Sequence, residues 1–368
     1  MSDNYEISIS ENTFAKMLAL KKKMGYDKKG WDKWFDSIFN QDAKESHQTE
    51  IEQIMKNANY DVWYDKWVQN FALNLNNIWN ESSARDLGPS VNSSSESNLR
   101  SAIVIGRGPS VKEHKHLELL AESDYKGSIV CCDGALINAL NSGVTPEKFP
   151  NYYVATIDAG DNIKELYDNK IVDMYGNKLN GIFATVASPV AIERARQAGI
   201  KIHWLHALFD YNEGKKSFNQ ISALMTRAQR HKHGLPAIQT GGNVGTSSWF
   251  ISWQILKCTT ISLIGINHGW TDNDSLDMII SHGHCLPKIE INKDSPTFKK
   301  LFPRIYNPEF GCYCILDPIF QYYSTALKEF ISRSPSWVNT INATEGGSIF
   351  GERIKCMTFS DFLNGFTK

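Results

Sequence analysis

No stretch of this 368-residue chain is long and apolar enough to suggest a bilayer span. The most apolar long segment, Thr246–Cys258 (TSSWFISWQILKC), is too short and too polar for a hydrocarbon core of about 30 Å, so no membrane crossing is expected. Cysteine is sparse. Seven cysteines, an odd number spread over a long chain, argue against a secreted disulfide scaffold, and the opening MSDNYEISIS lacks a basic-then-apolar leader. The expected compartment is the cytosol. An excess of one charge is missing too: 39 Lys and Arg stand against 40 Asp and Glu, a net charge of -1. There is no bulk pull toward nucleic acid or anionic membrane, and any phosphate contact must come from a local site. What is present, 42% hydrophobic and 21% charged residues, describes a globular chain with material for one main domain and an accessory.

The first forty residues read as a small appendage: a short alternating strand (YEISIS), then ENTFAKMLALKKKMGY and KGWDKWFDSIF with helical apolar spacing. The order resembles the ribbon-helix-helix pattern, in which a strand pairs with its copy in a second chain, so a homodimer through this region is one expectation. Lys21, Lys22, Lys23, Lys28 and Lys29 read as a solvated helix face. Residues 41–87 form a helical region whose Trp63, Trp67 and Phe71 recur every four residues, one face to pack on the next domain. Residues 88–98 (GPSVNSSSESN) are a linker by composition, and the main domain is expected over 99–368.

Beyond the linker, SAIVIG (101–106), GSIVCCDG (127–134), NYYVATIDAG (151–160), NGIFATVAS (180–188), IKIHWLH (200–206) and TTISLIGINHG are short β-rich runs. Amphipathic stretches such as VKEHKHLELLAES, AIERARQAG and SSWFISWQILKC lie between them. Alternation at this spacing implies βαβ crossovers. The expected fold is a Rossmann-like α/β domain, a parallel sheet flanked by helices, with its site at the carboxyl ends of the strands.

Several strand-end loops carry the residue types a nucleotide site needs. In IGRGPSVKEH, neither the dinucleotide fingerprint nor the P-loop spacing is met. Gly106 and Gly108 nevertheless permit a tight turn, Pro109 fixes φ, and Ser110 is placed to cap a helix whose N–H groups face a phosphate. Asp133, with Gly134, and Asp158 each follow an apolar strand, where a ribose hydroxyl, a metal or a transferred group would be held. The loop QTGGNVGTSSW offers Thr240, Gly241, Gly242, Asn243, Gly245 and Thr246 to an anion, and NATEGGSIFG offers Thr344, Glu345 and Gly346. Each loop also has a purely packing explanation.

Taken in order, GxGPS (Gly106–Ser110), CDGA (Cys132–Ala135), TID (Thr156–Asp158), TGGNVGT (Thr240–Thr246), LIGINHG (Leu263–Gly269) and NATEGG (Asn342–Gly347) resemble one family. It is the 6-hydroxymethylpterin diphosphokinase MptE-like domain family, which also contains the motility-associated factor (Maf) glycosyltransferases and is similar in fold to bacterial sialyltransferases. The resemblance spans roughly residues 99–365. It implies a transferase with a nucleotide-activated donor. One branch moves a nonulosonic, sialic-acid-like sugar from a CMP donor to a hydroxyl. The other moves diphosphate from ATP, with Mg²⁺, to 6-hydroxymethyl-7,8-dihydropterin. The pterin branch carries an HAHGDN-like run where this chain has HALFDYN from His206, Leu208 replacing the second histidine, and the long stretch from Gly269 to Thr340 resembles the sugar branch. In either, the Gly106–Ser110 loop would hold donor phosphates and His206 would take the acceptor proton, with His268 as the competing base and Asp158 as a third catalytic candidate.

His282, His284, Cys285, Cys312 and Cys314 are ligand types zinc accepts, but their spacing is not that of a zinc finger, and zinc is not expected. Metal dependence otherwise stays open. A non-enzymatic alternative is a nucleotide-sensing DNA-binding regulator that reads DNA through the N-terminal appendage. The charge balance makes nucleic acid the weaker partner.

Overall fold

The structure, a computed structural model, describes residues 11–23, 31, 63–88, 100–209, 217–227, 233–282, 294, 299 and 301–366. Two compact units divide the chain, Met1–Ile54 and Met55–Lys368. In the first, ENTFAKMLALKKK forms the helix Glu11–Lys23. Lys21 differs from the solvated face expected of it: it is buried, with its ammonium 5.0 Å from the centre of the Trp31 ring. The expected strand at YEISIS lies outside the described residues, as does most of the expected second helix.

The second unit is built on a ten-stranded sheet. Its strands are β1 (Ser82–Ser83), β2 (Ser101–Ile105), β3 (Ser128–Cys132), β4 (Tyr152–Thr156), β5 (Asn180–Ala184), β6 (Lys201–Leu208), β7 (Ala237–Gln239), β8 (Thr260–Ile264), then β11 (Asn339–Asn342) and β12 (Ile354–Cys356). β9 (Arg304–Asn307) and β10 (Cys312–Ile315) form a separate antiparallel pair. The order is β1-β6-β5-β4-β3-β2-β8-β11-β12, with β7 also on β6, and every pairing in it is parallel. β2 and β3 are buried at every residue, as strands covered on both faces must be, which is why they read as unbroken apolar runs. The fold is therefore Rossmann-like α/β. Strand order reverses between β2 and β8, the position of a topological switch point.

Residues 63–87 fall within the expected helical region of residues 41–87, whose Trp63, Trp67 and Phe71 face is expected to pack on the next domain. They belong to the sheet-bearing unit. The helix over 63–80 turns Asn70 and Asn74 inward, where Asn70 Nδ2 donates to Ala159 O and Val186 O, and Asn74 Nδ2 to Thr185 O and Ala187 O. These carbonyls follow β4 and β5, beyond the reach of the strand ladder, and the amides supply the missing donors. Glu81 then accepts from Trp204 Nε1 and from Arg196, and β1 adds to β6 with Ser83 opposite Trp204. The linker beyond Gly88 lies outside the described residues up to residue 100. Among the described residues no helix is long and apolar enough to cross a membrane.

Candidate functional site

At the carboxyl end of β3 the chain turns at Asp133, which is 4% exposed. Its carboxyl accepts from Thr156 Oγ1 on β4 and from Gly134 N, both at 2.7 Å, and Thr156 in turn meets the buried Tyr167 hydroxyl at 2.7 Å. Burial pushes this carboxyl up to about 7. The neighbouring Asp158 adds to the rise, and Thr156, Gly134 N–H and Arg107 oppose it. A carboxyl there occupies both protonation states at neutral pH. Asp158, two residues past β4, opens to solvent but sits among enclosing protein atoms, which raise its pKa against the pull of Arg107. Arg107 reaches this pair from the β2 loop, its side chain against Gly134, where a Cβ would come 2.9 Å from Arg107 Cδ. The Arg107 charge opposes the rise in pKa of both carboxyls, which stand at the ends of neighbouring strands.

Beside Asp158 lies a cavity of about 460 Å³, bounded by the residues that follow β4, β5, β6 and β7. Its wall is aromatic: Trp63 and Trp67 from the 63–80 helix, Phe209 after β6, and Tyr322, Tyr323 and Phe330 from the helix Pro318–Arg333. Asn219, Gln239 and Thr240 supply neutral hydrogen-bonding groups, and Asp158 is the one charged residue among the described lining. Gly242 makes the wall possible. At φ +80° it lies in the left-handed region, and a Cβ there would come 2.6 Å from Tyr323 Cε1.

Of the residues expected at the site, Asp158, Thr240, Gly241 and Gly242 line the cavity, and Asp133 and Gly134 stand next to it. The glycine–proline loop does something else. Gly108 N donates to Gly265 O at 2.9 Å, and Ser110 Oγ donates to Asn267 Oδ1 at 2.9 Å. Gly106 and Gly108 give close approach to the β8 loop, and Ser110 does not cap its helix: Pro109 occupies the N-cap of the four-residue Ser110–Glu113 helix with no side-chain bond. The packing of strand-end loops against one another takes precedence over capping. Asn243 caps the helix Val244–Phe250 by accepting from Thr246 N at 2.8 Å, Gly245 fits against Ile266, and Thr246 is fully buried. Thr344 donates to Leu263 O and accepts from Ile266 N. Glu345, at φ +60°, binds Phe359 N and His116, and Gly346 adjoins Cys312.

The two histidines expected to act as bases have buried rings. His206 is 2% exposed, its Nδ1 meeting Thr185 Oγ1 and its Nε2 meeting Ser222 Oγ, and burial pulls it down to about 4. His268 is held down to about 3 by burial, with Lys328 and His282 adding to the fall. Neither lines the cavity. Of the zinc-type residues, His284 and Cys285 lie outside the described set, and His282 engages Asp317. Sequence reading missed Arg107, hidden between the two glycines it singled out, and the tyrosines of the Pro318–Arg333 helix, which carry no motif. It saw Trp63 and Trp67 as a packing face only.

A family model described as 6-hydroxymethylpterin diphosphokinase MptE-like matches residues 69–273. Among solved structures, a MAf glycosyltransferase from Magnetospirillum magneticum AMB-1 is similar at TM-score 0.49 and 13% identity, over 79% of this chain and 41% of that one. This chain thus spans less than half the length of that protein. No curated protein matches it in sequence.

Proposed function

Because the chain belongs to the 6-hydroxymethylpterin diphosphokinase MptE-like family, we propose that it is a transferase that takes a group from a nucleotide-activated donor and places it on a hydroxyl acceptor. The observation that carries this reading is the aromatic-walled cavity at the carboxyl edge of the parallel sheet, with Asp158 in its lining and Asp133 and Arg107 beside it. Aromatic faces stack a base or a sugar ring, worth about 1–3 kcal/mol per stacked base. Arg107 supplies the cation for a donor phosphate. Asp133, near 7, is matched to proton exchange at neutral pH.

Within that class we favour transfer of a nonulosonic, sialic-acid-like sugar from a CMP donor. The described cavity wall holds neutral amide and hydroxyl groups, one carboxylate and no lysine or arginine. That lining suits a sugar joined to a monophosphate more than it suits a triphosphate. A second reading, ATP-dependent diphosphate transfer to 6-hydroxymethyl-7,8-dihydropterin, is favoured by the Asp133 and Asp158 carboxyls, oxygen ligands of the kind Mg²⁺ takes, and by the family's description. Asp133 and Asp158 would hold Mg²⁺ there, and it would supply the positive charge that offsets the donor phosphates.

Thermal-shift titration with CMP, CDP, ATP and ADP, each with and without Mg²⁺, tests both readings, since a ligand of the folded state raises apparent stability by mass action. CMP stabilisation without metal supports sugar transfer. ATP stabilisation only with Mg²⁺ supports diphosphate transfer, and no shift with any nucleotide sinks the transferase reading. The shift is expected to shrink in Trp67→Ala, which removes one aromatic wall.

A further inference from the structure

Trp63 and Asp158 both line the cavity, and both are open to solvent. Trp63 is 38% exposed, the one exposed aromatic ring of the described lining. Residues 158–161 run beside the start of the 63–80 helix. Asn70 Nδ2 donates to Ala159 O, Lys66 pairs with Asp161 at 3.0 Å, and a Cβ on Gly160 would come 3.6 Å from Trp63 Cη2. An indole and a carboxylate are thus held on adjoining segments at the mouth of the cavity. Both oxygens of Asp133 are taken, by Thr156 Oγ1 and Gly134 N, whereas the Asp158 carboxylate accepts no hydrogen bond among the described residues.

What this mouth takes follows from its charge and its shape. A carboxylate only accepts, and its two oxygens match two neighbouring O–H donors in charge-assisted bonds. The exposed indole offers a flat apolar face to the C–H side of a saturated ring. The described lining has no lysine or arginine, so an anion placed here meets the Asp158 charge with nothing to offset it. Phosphate and a sugar carboxylate therefore belong with Arg107, which stands outside the lining. Cytosine and adenine set an acceptor nitrogen beside their amino group, opposite the second carboxylate oxygen. A serine or threonine side chain brings one hydroxyl and leaves the indole face unused. Resting on the sugar-transfer reading above, we propose that the cavity mouth is the acceptor subsite and that it takes a neutral sugar ring, two neighbouring hydroxyls on Asp158 and its C–H face on Trp63. The acceptor is then a carbohydrate, and Asp158 sets its charge class. In the diphosphate reading the same carboxyl holds Mg²⁺ instead, so the two readings part at this residue.

The test is saturation-transfer NMR on the full chain in EDTA, with the methyl glycosides of glucose, galactose, mannose and N-acetylglucosamine. The methyl glycosides of glucuronate and galacturonate are the anionic counterparts of the first two. At least one neutral ring is expected to bind, and the uronates to bind at least about tenfold more weakly. Asp158→Asn is expected to weaken the neutral ring about tenfold and to erase most of its preference over the uronate, a change of selectivity that loss of folded protein does not produce. Trp63→Ala is expected to remove the saturation transfer. The ring that binds is also expected to raise CMP release from CMP-N-acetylneuraminate above the rate with water alone. Equal binding of neutral ring and uronate overturns the proposal, and so does a selectivity unchanged in Asp158→Asn. If CMP raises the stability of the wild-type chain and no ring binds, the acceptor subsite falls and the transfer reading stands. If no nucleotide raises it, the transfer reading falls and the acceptor role falls with it.

Discussion

Ser110 donates its hydroxyl proton to Asn267 Oδ1 at 2.9 Å, joining the loop after β2 to the loop after β8 across 157 residues of chain. The bond lies where strand order reverses, and Gly347 closes against the same asparagine from the β11 side, with Ser348 N donating to Asn267 O. The loops after β2 and β11 are thereby both joined to one residue of the loop after β8.

Gly108→Ala tests that lock. A Cβ there would overlap Asn267 Oδ1 and come 2.6 Å from the Gly265 carbonyl, which is backbone and cannot swing aside. The expected cost is about 1–3 kcal/mol, the usual range for overpacking, read by denaturant unfolding. A neutral result would show that the two loops yield easily.

Asp133 sets a pH dependence of defined sign. Its carboxyl is raised from 3.8 to about 7 in the folded chain, so the folded state holds a proton that the unfolded state has released between these values. The resulting stabilisation is fully present below about pH 3.8 and is lost as pH rises through about 7. By linkage its full size is on the order of 4 kcal/mol. Asp133→Asn is expected to flatten this part of the profile relative to wild type, and an unchanged slope from pH 4 to 7 would assign the effect elsewhere.

His206 runs the other way. With its pKa lowered from 6.5 to about 4 by burial, it contributes stability that is present above about pH 6.5 and is lost as pH falls toward 4, because the unfolded chain takes up the proton first. His206→Asn is therefore expected to weaken acid sensitivity and reduce stability while leaving nucleotide release per folded molecule within about threefold. A loss of turnover with stability intact would restore His206 as the base.

Asn74 is expected to matter for stability despite carrying no chemistry. Its amide serves the Thr185 and Ala187 carbonyls, and Asn74→Ala leaves both without that donor, at about 2–3 kcal/mol. Hydrogen exchange over residues 63–80 is expected to speed up, and protection equal to wild type would show that the helix is held by its aromatic face instead.

Much of the fold was legible in the chain itself. SAIVI, SIVCC, YYVAT, NGIFA and TISLI are apolar on both faces because both faces of a parallel sheet are covered, and that pattern located the starts of five strands to within one residue, while the runs read for β4, β5 and β8 continue four or five residues past the strand ends into the loops. The positions of Asp133 and Asp158 followed from it, since a polar residue ending such a strand stands at the sheet's carboxyl edge. The role of the helix over 63–80 did not follow. Asn70 and Asn74 look like any polar residues until β4 and β5 bring four carbonyls within reach of them.

Local pattern determined the α/β class, the strand-end loops and the family likeness, because periodicity and turn chemistry act between near neighbours in sequence. Which strand-end loops pack against one another and which line the cavity was decided by tertiary structure alone. Gly106 and Gly108 read as a phosphate cradle, yet they admit the β8 loop, and His206 and His268 read as bases, yet they are buried. His282 gained its carboxylate partner 35 residues away. Burial and pairing across such separations follow from packing, and packing has no short-range signature in the sequence.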